Sequence, residues 1–359
     1  MSLEPSSGES LHSESTAQFE SRKVDHIRLA LDVKNQASGQ AGFERVELLH
    51  EAFPELDFSQ VSLMHRIFKG ELEAKPLLVS SMTAGHHQAV DLNGRLAEAC
   101  QRHGWLMGVG SQRRELRDSS ARQEWKEVRR RAPRVKLLGN LGLSQLIRTS
   151  TEDVRRLADS LEASAMIIHS NPLQECLQPE GTPDFAGGLK ALEKLVKELG
   201  LPVIVKETGC GFSAQSLSRL KGLGVMAVDI SGFGGTHWGR IEGGRSQPGE
   251  LHHEAAKSFA NWGIGTVDGL SEAVQMSPDY EIWASGGVRS GRDVAILLAM
   301  GAQVVGLAQP ILKSALEGEK ELDFLMSLIE YELKVALFCT GSRSVEQLQE
   351  KKVWRWRKV

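Results

Sequence analysis

The sequence predicts a single (β/α)8 barrel, that is, a TIM barrel with an N-terminal extension and a C-terminal helix. Short apolar or β-branched runs alternate with helical patterns along the chain, which indicates parallel strands joined by helical crossovers. Eight such runs are present, and eight is the number of strands in a closed barrel. No G-x-G-x-x-G segment follows the first run, which disfavours a doubly wound dinucleotide-binding sheet.

The predicted strands are largely apolar, and polar or glycine residues lie at or near the end of each. They cover residues 76–82, 106–110, 136–142, 165–170, 202–207, 227–231, 281–287 and 304–309. The clearest helical patterns between them cover residues 88–104, 149–164 and 186–200. In the last pattern leucines recur at helical spacing, and Gly200 provides a suitable C-cap.

The chain of 359 residues suits one large domain, because (β/α)8 barrels routinely reach ~250 residues or more. Residues 1–20 are polar and serine-rich and lack the apolar segment of a signal peptide. We expect them to form a disordered leader. The folded domain should span residues 21–359, with an N-terminal segment at 21–75 and a barrel core at 76–345.

Composition excludes several classes of protein. The net charge is -3, with 43 basic and 46 acidic residues, so a strongly basic nucleic-acid-binding domain is disfavoured. The four cysteines are scattered without a C-x-x-C pair, which argues against a disulfide framework or a structural zinc site and is typical of the cytoplasm. The most apolar stretch, residues 295–312, is broken by glycines and a proline, whereas a membrane helix needs ~20 apolar residues. We therefore expect a cytoplasmic protein that binds neither nucleic acid nor membrane.

The basic tail at residues 351–359 contains Trp354 and Trp356. Tails that mix cations and tryptophans occur at membrane surfaces and on RNA. Packing of the tryptophan rings on the body of the domain is the simpler expectation.

Polar residues follow the predicted strands where a barrel enzyme has its active site. Lys206 and His169 end strands that are otherwise apolar. The segment ASGGVRSG at residues 284–291 closes the seventh strand and opens a helix, and Gly306 lies in the eighth. Because loops after strands seven and eight commonly bind phosphate through backbone N–H groups and a helix N-terminus, this pattern predicts a phosphorylated cofactor or substrate.

Eight motifs give the chain a specific resemblance. They are RKVDHI (22–27), SSMTAG (80–85), VGSQR (109–113), GNLG (139–142), HSNPLQE (169–175), VKETGCG (205–211), DISGFGGTHWGRIE (229–242) and ASGGVRSG (284–291). The sequence resembles the FMN-dependent type 2 isopentenyl-diphosphate delta-isomerase family from about Arg22 to Gly341. The resemblance implies an isomerase of isoprenoid biosynthesis that interconverts isopentenyl diphosphate and dimethylallyl diphosphate by a 1,3-allylic proton shift. It also implies reduced FMN and Mg²⁺ as cofactors, NADPH as reductant, and a homo-oligomer, from dimer to octamer.

The resemblance also implies roles for individual residues. FMN would be contacted by Ser81, Met82, Thr83, Ser111, Asn140, Lys206, Ser231 and Thr236, and its phosphate by Gly286, Gly287, Leu307 and Ala308. The diphosphate substrate would be bound by Arg22, Lys23, His26, Ser111, Gln112, Arg113, His169, Asn171 and Gln174, with the segment at 21–75 as a clamp. The implied catalytic residues are His169, Gln174 and Lys206, and the implied Mg²⁺ ligand is Glu175.

The chemistry asks for these residue types independently of the family. A diphosphate is complemented by arginine forks, a lysine charge and Mg²⁺, and Mg²⁺ usually takes one or two carboxylates besides phosphate oxygens and water. Three positions depart from the family pattern: Ala84 for glycine, Ser170 for leucine and Thr208 for valine. The more polar neighbours at Ser170 and Thr208 could retune the pocket.

Two other functions would account for part of the sequence. A 2-hydroxy-acid oxidase shares the flavin-barrel segments, but it needs a histidine base and a nearby arginine after strand six. In this chain that segment reads SGFGGTHW, with His237 at a different place. A non-catalytic flavin-binding protein would explain the glycines and Lys206, but it gives no role to Gln174 or Glu175.

Overall fold

Eight parallel strands close into a barrel, as predicted, in a computed structural model that describes residues 16–37, 41–82 and 89–358. Within these residues the strands are β1 (Val46–Leu48), β2 (His65–Ile67), β3 (Leu72–Ala74), β4 (Leu77–Val79), β5 (Leu106–Gly108), β6 (Lys136–Gly142), β7 (Ala165–Ser170), β8 (Val203–Glu207), β9 (Ala227–Asp229), β10 (Glu281–Ser285), β11 (Val304–Leu307) and β12 (Trp354–Trp356). Strands β4 to β11 form the barrel in chain order, and β11 closes it by pairing with β4. Each of the eight predicted runs contains one of these strands.

Helices surround the barrel and follow most of its strands. They are α1 (Thr16–Leu31), α2 (Val90–His103), α3 (Arg122–Arg131), α4 (Leu143–Leu146), α5 (Thr151–Leu161), α6 (Pro172–Leu177), α7 (Gly188–Glu198), α8 (Ala214–Ser218), α9 (Trp238–Arg245), α10 (Leu251–Ser258), α11 (Thr266–Gln275), α12 (Gly291–Ala299), α13 (Gln309–Glu317), α14 (Glu319–Cys339) and α15 (Val345–Glu350). Helices α2, α5 and α7 lie within the three clearest predicted helical patterns. Short 3-10 helices cover Val33–Asn35, Phe43–Arg45, Phe58–Gln60, Arg114–Leu116 and Ser119–Ala121.

The N-terminal extension folds earlier than predicted. Helix α1 begins at Thr16, inside the leader expected to end at residue 20. The reason is local propensity, because Ala17, Gln18 and Glu20 are good helix formers and continue the helix that carries Arg22. Residues 1–15 of the expected leader lie outside the described residues.

Apolar side chains, most of them large, fill the barrel, and each barrel strand contributes at least one. The interior cluster includes Leu78, Leu106, Leu138, Ile167, Ile204, Ala227, Trp283 and Val304. The β2–β3 hairpin closes the N-terminal end, where the Phe68 ring stacks on Trp283 with centroids 5.6 Å apart. The filled barrel therefore leaves its C-terminal end as the place for a ligand.

The C-terminal tail packs on the domain through Trp354, which confirms the expectation for that ring, whereas Trp356 is exposed, with 42% of its surface accessible. Strand β12 pairs antiparallel with β1. Trp354 is half-buried against the core, and the Arg45 guanidinium lies 5.7 Å from the Trp356 ring centroid. Among the described residues, no helix combines the length and apolarity that crossing a bilayer requires.

Candidate active site

The floor of the candidate site consists of strand residues two positions beyond the apolar interior layer. Because side chains alternate along a strand, these residues face the barrel interior above that layer. They are Ser80, Gly108, Asn140, His169, Lys206, Asp229, Ser285 and Gly306. Polar side chains, or glycine at two positions, thus replace apolar ones at the C-terminal mouth of the barrel, where barrel enzymes carry out their chemistry.

A cavity lies above this floor and gathers most of the site residues that the sequence predicts. From the predicted FMN set, it is lined by Ser81, Met82, Ser111, Asn140, Lys206, Ser231, Thr236, Gly286, Gly287 and Ala308. From the predicted substrate and metal set, it is lined by Arg22, Lys23, His26, Arg113, His169, Asn171, Gln174 and Glu175. Residues distant in the chain therefore meet at one site.

Gln112 requires a correction, because its side chain points away from the cavity. The side chain is fully buried; its amide donates to Glu115 Oε2 at 2.9 Å, and its Oε1 accepts from the backbone N–H of Asn140 at 3.1 Å. Both ends of the amide are used inside the protein. Gln112 therefore supports Asn140 from behind and does not face a diphosphate.

Two predicted FMN residues also differ from the rest. The Leu307 side chain is buried in the core, and its neighbours Gly306 and Ala308 line the cavity instead. Thr83 lies outside the described residues, as does Ala84.

His169 is held in one neutral tautomer. The Nδ2 of Asn140 donates to the Val109 carbonyl at 3.0 Å. The Oδ1 of Asn140 therefore faces His169 and accepts a hydrogen bond from its Nδ1–H at 2.8 Å. Burial, together with the charges of Lys23 and Lys206, lowers the pKa of His169 to about 4. At neutral pH the ring is uncharged, with Nε2 as a hydrogen-bond acceptor.

Lys206 is fixed by a buried polar triad. Its Nζ donates to Asp229 Oδ2 at 2.6 Å and to Ser285 Oγ at 2.9 Å. Ser285 Oγ in turn donates to Asp229 Oδ1 at 2.8 Å. An ammonium has three N–H donors, so within the described residues one donor is left for a ligand in the cavity.

Gln174 is oriented by a buried carboxylate that was not among the predicted site residues. Its Nε2 donates to Glu242 Oε1 at 2.8 Å, and His26 Nε2 lies 3.0 Å from the same oxygen. Burial opposes ionisation of Glu242, but the hydrogen bond from His26 and the hydrogen bond and charge of Arg245 lower the pKa of Glu242 to about 2. Burial also lowers the pKa of His26 to about 4. An ionised Glu242 thus anchors a neutral amide and a neutral imidazole at the cavity wall.

Glu175 lies at the start of α6, beside an unsatisfied polar atom. Its Oε1 accepts from Asn171 Nδ2 at 3.1 Å, and its Oε2 accepts from the backbone N–H of Thr182 at 2.6 Å. Asn171 Oδ1 is buried and has no hydrogen-bond partner among the described residues. A carboxylate and a free amide oxygen at one place suit a hard cation or a polar ligand.

Cationic side chains come to the cavity from two directions. Arg22 and Lys23 project from α1, which packs against α9, and Arg113 follows β5. Arg22 is buried, with 6% of its surface exposed. This cationic wall complements a ligand with several negative charges.

The glycine loop after β10 can be built only from glycine. Gly286 has φ +112°, and a Cβ there would lie 2.1 Å from the carbonyl oxygen of Gly232. Gly287 has φ +73°, and a Cβ there would lie 2.5 Å from the carbonyl oxygen of Gly234. The two backbones therefore pack directly against each other, and their amides can approach an anion closely.

We expect Gly286→Ala to weaken FMN binding at least tenfold, equivalent to ~1.4 kcal/mol. The methyl group would force the loop away from the 232–235 segment, and the left-handed backbone adds ~1–2 kcal/mol of strain. The matched control is Gly104→Ala, because Gly104 is also left-handed (φ +71°) but has no atom within 4 Å of a Cβ and ends α2. Fluorescence titration of apoprotein with FMN measures both variants, and equal affinities would contradict the role of the loop.

Several cavity residues escaped the sequence reasoning. Arg289 lies two residues after the glycine pair and donates to Gln36 Oε1 at 2.9 Å; a cation shortly after G-G, near a helix start, was the available signal. Trp238, whose ring lies edge-on to His26 with centroids 5.1 Å apart, belongs to a quoted motif but had no assigned role. Gln36 does not line the cavity but contacts two residues that do, and it had no sequence signal, because only the fold brings it to Thr236 and Arg289.

Comparison with known proteins gives a consistent result. The family model described as FMN-dependent dehydrogenase matches residues 124–355. An isopentenyl-diphosphate delta-isomerase of Bdellovibrio bacteriovorus is 52% identical over 95% of this chain and 99% of that relative. One of Legionella pneumophila, strain Paris, is 53% identical over 93% of this chain and 98% of that relative.

Solved structures agree in fold. A flavocytochrome b2 variant with pyruvate bound has a TM-score of 0.67 at 16% identity, covering 96% of this chain and 86% of that chain. A mandelate oxidase variant with a monooxide FMN adduct has a TM-score of 0.62 at 19% identity, covering 93% of this chain and 95% of that chain. At such identities the likeness establishes the barrel and not the reaction.

Proposed function

Because the chain belongs to the FMN-dependent dehydrogenase family and, within it, to the isopentenyl-diphosphate delta-isomerases, we propose that it interconverts isopentenyl diphosphate and dimethylallyl diphosphate. The observation that carries this proposal is a cavity with a cationic wall and a floor of neutral or paired polar groups. The wall suits the diphosphate. The test is the interconversion of the two diphosphates by pre-reduced enzyme under anaerobic conditions.

FMN fits the residues present. The Ser81 hydroxyl is buried and has no partner in the described part of the chain, and the Gly286–Gly287 loop offers close-packed backbone for a phosphate. Ser81, Ser231, Thr236 and the Lys206 ammonium would hold the cofactor. Bound reduced FMN would supply an electron-rich group able to exchange a proton with the substrate.

Mg²⁺ fits a smaller set of residues. Among the described residues, no three His, Cys, Asp or Glu side chains cluster as metal ligands. Glu175 and the free Oδ1 of Asn171 would be the protein ligands of the ion. Phosphate oxygens and water would supply its remaining ligands, as is common for Mg²⁺. The metal would neutralise the diphosphate together with Arg22, Lys23 and Arg113.

The chain's own residues would keep the alkene end of the pocket free of strong nucleophiles. His169 is neutral and bound through Nδ1 to Asn140, and Gln174 is bound to Glu242. The allylic shift adds a proton at one carbon and removes one from C2. Neutral side chains of fixed orientation would position the alkene for both transfers and exclude water from a cationic transition state.

Arg22→Ala should raise KM for isopentenyl diphosphate and lower kcat/KM by roughly tenfold to a hundredfold, because a charge-assisted hydrogen bond is worth ~1.5–3 kcal/mol. Arg28→Ala is the matched control. Arg28 lies on the same helix but is exposed and pairs with Asp25 at 3.1 Å. Steady-state kinetics of reduced holoenzyme distinguish the two, and unchanged kcat/KM in Arg22→Ala would remove that residue from the clamp.

The 2-hydroxy-acid oxidase alternative loses its main candidate base. His237 is fully buried; its Nδ1 accepts from the backbone N–H of Arg240 at 3.2 Å, and its Nε2 lies 3.1 Å from the Trp262 carbonyl oxygen. Both ring nitrogens are therefore engaged in capping α9 and holding a loop. A storage role for FMN would leave the cationic wall without a ligand.

Three further features stay predictions. NADPH as the reductant of FMN is one, and stopped-flow reduction of the holoenzyme by NADPH measures it. A cytoplasmic location is another; it accords with four unpaired cysteines and is checked by cell fractionation. A homo-oligomer from dimer to octamer is the third, and light scattering of the purified protein gives its mass.

A further inference from the structure

Asp229 does not itself line the cavity, yet it is the main partner of Lys206, which does. Its side chain is 2% exposed and that of Lys206 is 7% exposed, with 2.6 Å between Oδ2 and Nζ. The pairing follows from strand register, because Lys206 of β8 lies opposite Asp229 of β9. Both side chains therefore leave the sheet toward the barrel interior.

The carboxylate is itself held in place. Its Oδ1 accepts from the backbone N–H of Ser231 at 3.1 Å and from Ser285 Oγ at 2.8 Å. Ser285 also accepts from Lys206 Nζ at 2.9 Å. Two of the three ammonium donors are thereby directed sideways, so the remaining N–H has a fixed direction.

We propose that Asp229 is a positioning residue that aims the Lys206 ammonium at bound FMN and moderates its charge, and thereby sets the reduction potential of the flavin. The inference rests on the proposed FMN site. A lone buried ammonium would strongly favour the anionic reduced flavin, whereas an ammonium paired with a carboxylate favours it less. Asp229 thus keeps the reduced cofactor electron-rich while Lys206 still binds it.

The first test is the potential of the Asp229→Asn holoenzyme, measured by anaerobic redox titration against a reference dye. Asparagine preserves the shape but removes the negative charge. We expect the ratio of the dissociation constants for oxidised and reduced FMN to rise at least tenfold, a shift of ~30 mV for a two-electron couple. A ratio within threefold of wild type overturns the proposal.

Glu207→Gln is the matched control. Glu207 is the next residue along β8, is equally buried, and accepts from the backbone N–H groups of the 208–211 turn without touching the Lys206 ammonium. Neighbouring strand residues point to opposite faces. For Glu207→Gln, we expect the ratio of the dissociation constants for oxidised and reduced FMN to stay within threefold of the wild-type ratio. A shift as large as that of Asp229→Asn would mean that any nearby charge suffices, and would overturn the role of Asp229.

A second pair of variants covers the case in which Asp229→Asn does not hold FMN. Lys206→Met and Lys206→Met/Asp229→Asn both lack the unpaired ammonium. Because Asp229 is proposed to act on FMN only through the Lys206 ammonium, replacing it should have no effect once that ammonium is gone, so the dissociation-constant ratios of these two variants should agree within threefold. A tenfold difference would show that Asp229 acts independently of Lys206 and would overturn the proposal. Wild-type protein without FMN would instead defeat the proposed function, and that outcome is read before any variant is compared.

Discussion

Enzyme with oxidised FMN is expected to be inactive, and reduction should restore turnover without consuming the reductant in proportion to product. The physical reason is that an allylic isomerisation transfers no net electrons, while the Lys206 ammonium would favour the reduced anion of bound FMN. If the reduced cofactor takes part in proton transfer, oxidation removes that proton and the electron density that accompanies it. We expect at least a thousandfold difference between the two states, which corresponds to ~4 kcal/mol in the barrier.

The measurement compares oxidised and pre-reduced enzyme in anaerobic conversion of isopentenyl diphosphate under excess Mg²⁺. Product should exceed oxidised reductant many-fold, and the flavin spectrum should remain that of the reduced form through many cycles. Equal rates in the two states would contradict a role for the reduced cofactor. No conversion in either state would defeat the proposed function, and substrate-driven flavin reduction with a need for oxygen would favour an oxidase.

The sequence was most informative where a strand changes from apolar to polar. His169 and Lys206 each follow an apolar strand interior, and the period of two places them on the inner face of the barrel mouth. The glycine pair after β10 was equally clear, because Gly286 and Gly287 have no sterically acceptable substitute. These features depend on residues close together in the chain, so the pattern itself predicts them.

Contacts between distant segments were much harder to predict. Glu242 meets Gln174 and His26 only because α1 folds over the mouth and α9 passes beside α6, and no local pattern encodes that arrangement. Gln112 was wrongly assigned to the substrate site because it lies between Ser111 and Arg113, which both line the cavity. Its side chain instead points into the protein and bonds the backbone of Asn140. The direction of a loop side chain depends on which hydrogen-bond partners lie within reach. Those partners come from distant segments, so the local sequence does not predict them.

One missed contact could have been predicted. Lys206 and Asp229 end consecutive strands, and consecutive strands of a barrel are neighbours. A cation and an anion at matching positions should therefore pair. The barrel prediction already contained this consequence, although the register of β8 and β9 was needed to make it specific.

Glu175→Gln should abolish productive Mg²⁺ binding while FMN remains bound. The residue supplies the carboxylate beside the free Oδ1 of Asn171, and the amide removes the charge that attracts a hard cation. Metal stabilisation of charge is worth several kcal/mol, and each ~1.36 kcal/mol is a factor of ten, so Mg²⁺-dependent activity should fall by about a hundredfold or more. Glutamine can still accept the Thr182 N–H, so the local fold should persist. The measurement is initial rate against Mg²⁺ concentration for reduced holoenzyme, with FMN content taken from the absorbance spectrum.

Glu180→Gln is the control for this prediction, because Glu180 lies shortly after the same helix, pairs with Arg245 at 2.8 Å, and is not part of the cavity lining. It should retain both FMN and the wild-type Mg²⁺ dependence. Loss of activity in Glu175→Gln together with loss of FMN would indicate a collapsed site and not a lost metal ligand. Full activity with an unchanged Mg²⁺ requirement would remove Glu175 from the site, since the diphosphate would then hold the cation without a carboxylate from the protein.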